Sequence, residues 1–334
     1  MKLFILIFFS TISLSAQKLV LLNQVQDSIS FRGISVVDEN IFWLAGSKGV
    51  IGKTTNGGQT FAWYYLPNYQ QNEFRDIEAT SEKAAWVMAI TQAAEIIVTS
   101  DGGETFQTAY TDTREKAFLD ALDCNAQHCV AIGDAVDKKQ FYLLENKDNI
   151  WQLNTHSGLE MREGEAFFAA SGSNIKALGE QDFIVVSGGK TARLLYRYKG
   201  KTKAQKLPLV QGKETTGANG FDYLAEQQKG IVVGGDFNEP KLSEGNMVLF
   251  RWNEKRRRFD FALPQQNAEG YKSGVAFLNE NIVVACGTSG IDYSTDGGQH
   301  WTHFSDDAFH AIAPLDAHSL VLVGPKGKVA KLVF

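Results

Sequence analysis

The chain has 334 residues, 44% of them hydrophobic and 21% charged, with a formal net charge of −5. These are the proportions of a globular protein with a sizeable core. The charge is spread without a dominant block, so nothing points to nucleic acid, where a clustered basic footprint is expected. Lys255 with Arg256, Arg257 and Arg258 is the one basic cluster. It falls between the strand-like runs Met247-Val-Leu-Phe-Arg-Trp252 and Phe259-Asp-Phe-Ala-Leu263 and reads as a solvated hairpin tip.

In chain order, Lys2 precedes the apolar run Leu3-Phe-Ile-Leu-Ile-Phe-Phe9 and a stretch of small residues ending at Ala16. This is the pattern of a secretory leader, cleaved near Ala16, on a protein exported to the periplasm or beyond. The run is too short for a membrane span. A strand, Lys18-Leu-Val-Leu-Leu22, follows. The next landmark is Thr54-Thr-Asn-Gly-Gly-Gln-Thr-Phe61, which returns as Thr99-Ser-Asp-Gly-Gly-Glu-Thr-Phe106 and as Ser294-Thr-Asp-Gly-Gly-Gln-His-Trp301. Asn56, Asp101 and Asp296 can bond backbone amides ahead of them. The glycines, Gly58, Gly103 and Gly298 among them, supply positive φ, and Phe61, Phe106 and Trp301 anchor the next strand in the core. The turn resembles the Asp-box, or BNR, motif that closes the hairpin between the third and fourth strands of propeller blades.

A second marker, an aromatic at the start of an apolar strand, reads Phe31-Arg-Gly-Ile, Phe74-Arg-Asp-Ile, Phe118-Leu-Asp-Ala, Phe167-Phe-Ala-Ala, Tyr271-Lys-Ser-Gly and Phe309-His-Ala-Ile, with a degenerate copy at Ala218-Asn-Gly-Phe. After most of them comes a continuously apolar strand that ends in glycine, such as Phe42-Trp-Leu-Ala-Gly46, Val130-Ala-Ile-Gly133 or Ile231-Val-Val-Gly234. Unbroken apolar strands are buried on both faces. Repeats near 45 residues with four strands each predict an all-β fold, a seven-bladed β-propeller filling residues 17–334 as one domain. The last repeat supplies only three strands, so the strand at 18–22 is expected to complete it from outside and remove an open edge.

In such a ring the residue after each marker aromatic should stand at the rim of the central channel: Arg32, Arg75, Leu119, Phe168, Asn219, Lys272 and His310. Arg32, Arg75, Lys272 and His310 would then be consecutive cations, able to hold a carboxylate; with Asn219 they form the candidate ligand site. The competing reading pairs each arginine with a neighbour such as Glu73 or Asp76. Cys124 and Cys129 flank the polar turn Asn-Ala-Gln-His and are candidates for a hairpin disulfide, while Cys286 sits in an apolar strand as a small core residue. The nucleophile-elbow, zincin and dinucleotide templates are missing. Ser187-Gly-Gly-Lys-Thr191 leads into a strand and so offers no helix N-terminus to a phosphate. No metal site, catalytic residue or cofactor is expected, and the protein is expected to be a monomer.

Phe31-Arg-Gly-Ile and Phe74-Arg-Asp-Ile also resemble the Phe-Arg-Ile-Pro signature of sialidases, without the proline. That likeness implies a glycoside hydrolase with three arginines around a substrate carboxylate and a Tyr–Glu pair. Arg32 and Arg75 supply two of the arginines. The Asp-boxes, the Phe-Arg-Asp-Ile type markers and the leader together resemble the photosystem II stability/assembly factor-like family of seven-bladed propellers. The resemblance implies a non-catalytic scaffold that holds a client polypeptide through an arginine patch, here Arg32 and Arg75. The expected partner is an acidic protein segment or a small anion.

Overall fold

The computed structural model describes residues 17–24, 28–90, 93–137, 140–155 and 157–334; the leader expected over residues 1–16 lies outside them. Thirty strands form seven antiparallel sheets. In blades one to six the strands run outward from the channel in chain order. Blade one is Phe31–Val36, Phe42–Gly46, Val50–Thr54 and Ala62–Tyr65; blade two is Glu73–Ala79, Ala85–Ile90, Ala94–Thr99 and Gln107–Asp112. Blade three is Ala121–Cys124, Cys129–Gly133, Tyr142–Lys147 and Ile150–Leu153; blade four is Ile175–Leu178, Asp182–Val186, Arg193–Tyr198 and Lys201–Lys206. Blade five is Thr216–Leu224, Lys229–Asp236, Met247–Asn253 and Arg258–Ala262; blade six is Gly274–Phe277, Val283–Gly287, Gly290–Ser294 and Thr302–Ser305. Blade seven is Ala311–Asp316, Ser319–Val323 and Lys328–Val333, completed by Lys18–Gln24. That strand pairs antiparallel with Lys328–Val333, Lys18 opposite Val333 and Leu21 opposite Ala330, so the ring closes by the expected route. Among the described residues the helix content is one 3-10 turn, Pro67–Tyr69, and no described helix is long and apolar enough to cross a membrane.

The hydrophobic core is divided in the same way as the sequence. Each of seven apolar clusters straddles one pair of neighbouring blades: Phe31, Phe42 and Leu44 of blade one pack on Val321, Val323 and Val329 of blade seven, and Tyr196 and Leu194 of blade four on Phe250, Trp252 and Phe259 of blade five. The second strands of blades one, three, six and seven are buried at every position, because a neighbour covers both faces. Each fully buried Phe, Leu, Ile or Val contributes roughly 1.5–3 kcal/mol, which is ample to hold blades that are joined by little backbone pairing.

The three Gly-Gly turns seal gaps between blades. In the second, Thr99 Oγ1 bonds Asp101 Oδ1 (2.9 Å) and accepts from the amide of Gly103 (2.9 Å), while Asp101 Oδ1 accepts from the amide of Thr105 (3.0 Å). The first and third repeat this on Thr54, Asn56, Gly58 and on Ser294, Asp296, Gly298. The glycine pairs all have positive φ. Each turn leans on the preceding blade. Gly103 lies against Tyr64, whose hydroxyl donates to Gly102 O (2.9 Å), and Phe106 meets Tyr64 edge to face; Gly58 lies against Leu22 and Gly298 against Ile231. Cys124 and Cys129 stand opposite each other across the first hairpin of blade three and are joined as a disulfide. Cys286 is a free, buried thiol.

Blade four departs from expectation. Phe167-Phe-Ala-Ala is not its inner strand; Ile175–Leu178 takes that place, and the residues between form a loop. Glu165–Ala166 and Gly188–Gly189 instead make two-residue strands that extend the inner edge of blade five. Ser187-Gly-Gly-Lys-Thr191 is thus a bridge between blades.

Candidate functional site: the mouth of the central channel

Alternation alone does not aim a side chain into the channel mouth. In blade one Phe31 pairs with Gly46 but Gly33 pairs with Ala45; in blade two Phe74 pairs with Ala89 but Asp76 with Met88; in blade five Ala218 pairs with Gly234 but Gly220 with Val233. Arg32, Arg75 and Asn219 are the extra residues of these β-bulges, and a bulge redirects the side chain it carries. The glycine that ends the second strand makes room for the fold-back. A Cβ on Gly133 would lie 1.8 Å from Phe118 O, on Gly234 1.9 Å from Gly217 O, and on Gly287 2.2 Å from Tyr271 O.

Arg32, Arg75, Phe168, Asn219 and His310 line one cavity of about 430 Å³ at the mouth. The two other expected members do not. In blades three and six the marker is shifted by one residue, which exchanges the faces of a strand. Phe118 and Asp120 face the mouth while Leu119 is buried, and Tyr271 and Ser273 face it while Lys272 points inward. Lys272 is fully buried in an ion pair with Asp292 of its own blade, and its Nζ also donates to Gly290 O (3.1 Å). It takes no part in a cationic rim. His310 also brings no charge there, since burial, with help from Arg32 and Arg75, pulls its pKa down to about 3. The positive charge at the mouth comes from two guanidiniums.

Both meet a floor that blade four provides. The loop 167–174 crosses the channel: Arg32 Nη1 donates to Ala170 O (3.3 Å) and Arg75 Nη1 to Ala169 O (2.8 Å). Ser171 Oγ donates to Ser273 O of blade six (2.7 Å), and Ser173 O accepts from the amide of Phe221 of blade five (2.8 Å). Gly172 stands so close to the Asp76 carboxylate that a Cβ would come within 2.2 Å of Oδ1. Phe167 N also donates to Asp134 Oδ1 beside blade three (2.9 Å), so one loop contacts five other blades and closes the channel beneath the arginines. Arg75 is paired with Glu73; Arg32, among the described residues, has no carboxylate partner. Burial and then the charge of Arg75 lower the pKa of Arg32 from its ordinary value, as expected for a guanidinium lacking a counter-ion. Asp120 does not serve as one, because burial, reinforced by Asp134, raises its pKa well above the carboxylate range.

The rest of the wall is aromatic. Phe168 meets Phe237 edge to face (5.5 Å), and Phe237, 42% exposed, meets Tyr271 (6.4 Å). The Tyr271 hydroxyl donates to Asn219 Oδ1 (2.7 Å), and burial raises its pKa. A Tyr nucleophile needs the opposite, a basic partner that withdraws the proton. Sequence reasoning missed Phe118, Asp120, Phe237 and Tyr271 as mouth residues. Phe118, Asp120 and Tyr271 lay within marker segments, Tyr271 as a polar-tipped aromatic, whereas Phe237 carried no signal.

Below the floor, carboxylates sew the blades together. Asp76 accepts from the amide of Leu122 (2.8 Å), Asp123 from that of Ala177 (2.6 Å) and Asp222 from that of Phe277 (2.9 Å), each in the next blade or strand round the ring, and Lys176 Nζ meets Asp222 Oδ1 (2.6 Å). Burial pushes Asp76 up to about 8 and Asp123 to about 6, and raises Glu78 well above the carboxylate range. A carboxyl raised on folding binds more protons folded than unfolded. Its stabilising contribution is complete below the unfolded pKa, near 4, and is lost as pH climbs through the folded value. The depressed histidines have the opposite sign, but above about pH 7.5 they are neutral in both states. The urea midpoint is therefore expected to fall between pH 7.5 and 8.5, with a shallower slope in Asp76→Asn; a flat wild-type profile in that window would contradict the assignment.

Seven four-stranded blades closed by the N-terminal strand, with a floored two-arginine mouth, define a seven-bladed β-propeller with a concave channel-mouth site. No family model matches the chain, and no curated protein sequence matches it. Among solved structures it is similar to YCF48 in the structure described as "YCF48 bound to D1 peptide", at 14% identity and a TM-score of 0.67 over 97% of this chain and 98% of that one. It is similar also to YCF48 from Cyanidioschyzon merolae, at 15% identity and a TM-score of 0.65 over 96% and 99%. Likeness at this identity shows the shared fold.

Proposed function

We propose that this chain is an exported, monomeric, non-catalytic scaffold of the BNR or Asp-box propeller type, akin to photosystem II assembly factors, that holds an acidic protein segment at its channel mouth. The observation that carries the reading is Arg32: a guanidinium in a cavity, beside a second one, without a carboxylate partner among the described residues. An incoming carboxylate would relieve that repulsion through charge-assisted hydrogen bonds. The Phe168–Phe237 wall fits an apolar side chain next to the acidic one. The solved complex of YCF48 with a D1 peptide supports peptide capture on this fold. The sialidase alternative loses ground at Tyr271, whose proton is held toward Asn219.

The test is titration with a Phe-containing acidic peptide. Arg32→Ala/Arg75→Ala should weaken binding at the mouth by at least about 30-fold, since hydrogen bonds to charged groups contribute about 1.5–3 kcal/mol each, with an unchanged melting temperature. Affinity at the mouth that survives the double substitution rejects the assignment.

A further inference from the structure

The face of the ring opposite the arginines carries the turns between third and fourth strands. Blades one, two and six press a Gly-Gly turn onto the preceding blade there. Blade five does not. Its tip, Glu254-Lys-Arg-Arg257, has no glycine, and Arg257 itself takes the positive φ, 49°. The gap to blade four stays open as a cavity of about 230 Å³, lined by Tyr196, Tyr198, Tyr223, Trp252 and Phe259. The rings brace one another, Tyr198 on Trp252 (4.7 Å) and Tyr196 edge-on to Phe259 (5.0 Å), so the pocket is preformed.

Its lip is basic. Lys199 lies 5.1 Å from the centre of the Tyr198 ring. Lys203 Nζ donates to Arg257 O (2.9 Å), which brings the Lys201–Lys206 strand beside the Lys255-Arg-Arg-Arg258 tip. Five exposed cations, Lys199, Lys201, Lys203, Lys255 and Arg257, thus belong to the strand and turns that border the cleft, against two carboxylates, Asp182 in its lining and Glu254, which accepts from Trp252 Nε1 (2.6 Å). Arg256 and Arg258 pair instead with Asp260, which lines the gap to blade six.

We propose that this cleft is a second docking site, for an acidic peptide segment that inserts one aromatic or branched aliphatic side chain between blades four and five. Recessed rings favour a peptide over a bilayer, since membrane anchoring needs apolar groups that protrude. They also disfavour a nucleic-acid strand, whose bases need open ring faces to stack on. Anchor in a pocket with complementary charge around it is the usual economy of a peptide interface.

The test is run in the Arg32→Ala/Arg75→Ala background, so that the mouth does not contribute and the two proposals fail separately. The probe is a dye-labelled, end-blocked peptide Glu-Glu-Phe-Glu-Glu, titrated into the full chain at low ionic strength. Expected are saturable binding, a loss of at least about tenfold when Gly replaces Phe in the probe, and a similar loss in Lys201→Glu/Lys255→Glu, both exposed positions. Tyr198→Ala should weaken the Phe probe and leave the Gly probe unchanged. No binding in this background, equal binding of the Gly probe, or indifference to the charge reversals overturns the proposal. So does tighter binding of phosphatidylglycerol vesicles or a thymidine oligonucleotide than of the peptide.

Discussion

Replacing Arg193 by alanine is expected to lower the unfolding free energy by about 3–5 kcal/mol, the usual result of breaking a buried ion pair from one side. Arg193 Nε and Nη2 donate to the two oxygens of Glu165 (2.8 and 2.6 Å), and Nη2 also donates to Glu160 O (2.6 Å). The side chain of Glu165 is 0% exposed, so its charge would be stranded with the Ser187 hydroxyl and the amide of Arg162 (2.8 Å) but no cation beside it. The loss reaches the mouth. Glu165–Ala166 is the strand from which the loop 167–174 springs, and that loop supplies the carbonyls on which Arg32 and Arg75 rest. Arg193→Ala should therefore shift the urea midpoint and open the chain to protease between residues 160 and 175. Arg193→Met/Glu165→Leu, which removes both charges, should recover most of the stability. A loss below about 1 kcal/mol, the scale of a solvated pair, would show that the charge is not desolvated.

The architecture was largely legible because the ring repeats its physics. An aromatic, an apolar strand and a glycine recur through most of the ring, with a bulge after the aromatic or its counterpart in blades one, two and five, and the glycine recurs for a reason visible only in three dimensions: in blades three, five and six it lies under the carbonyl of the strand it pairs with. The mouth was legible in part. Arg32 and Arg75 stand where their bulges place them, and Asn219 and His310 line the same cavity. Lys272 was misplaced because a shift of one residue exchanges channel and core faces, and a strand pattern cannot reveal that shift. Its trace in the sequence is Asp292, a carboxylate between Ile291 and Tyr293 in a buried strand, which calls for a buried cation. The floor was illegible for a different reason. Phe167-Phe-Ala-Ala has the composition of an inner strand, and only the contacts of Ser171, Gly172 and Ser173 with other blades show it crossing the channel.

Gly133→Ala should be as damaging as the loss of Arg193, although it adds one methyl group and disturbs no charge. Gly133 ends the second strand of blade three and is buried. Its new Cβ would lie 1.8 Å from Phe118 O and 2.9 Å from Phe118 C, both backbone atoms. No rotamer change relieves a clash with backbone, so the inner strand itself must move. Insertion of a methylene into a packed interior costs about 1–3 kcal/mol, and more where the neighbour is fixed; here a figure of about 3 kcal/mol or above is expected. Leu119, Asp120 and Phe118 would shift with the strand, so the aromatic wall of the mouth should distort as well. Gly179→Ala is the control: nothing lies within 4 Å of its added Cβ, and only its φ of 56° penalises the change, by about 1 kcal/mol. Urea denaturation of the two variants side by side separates crowding from backbone strain. Similar small losses in both would mean that the close approach of strand end to marker carbonyl does not fix the position of the inner strand.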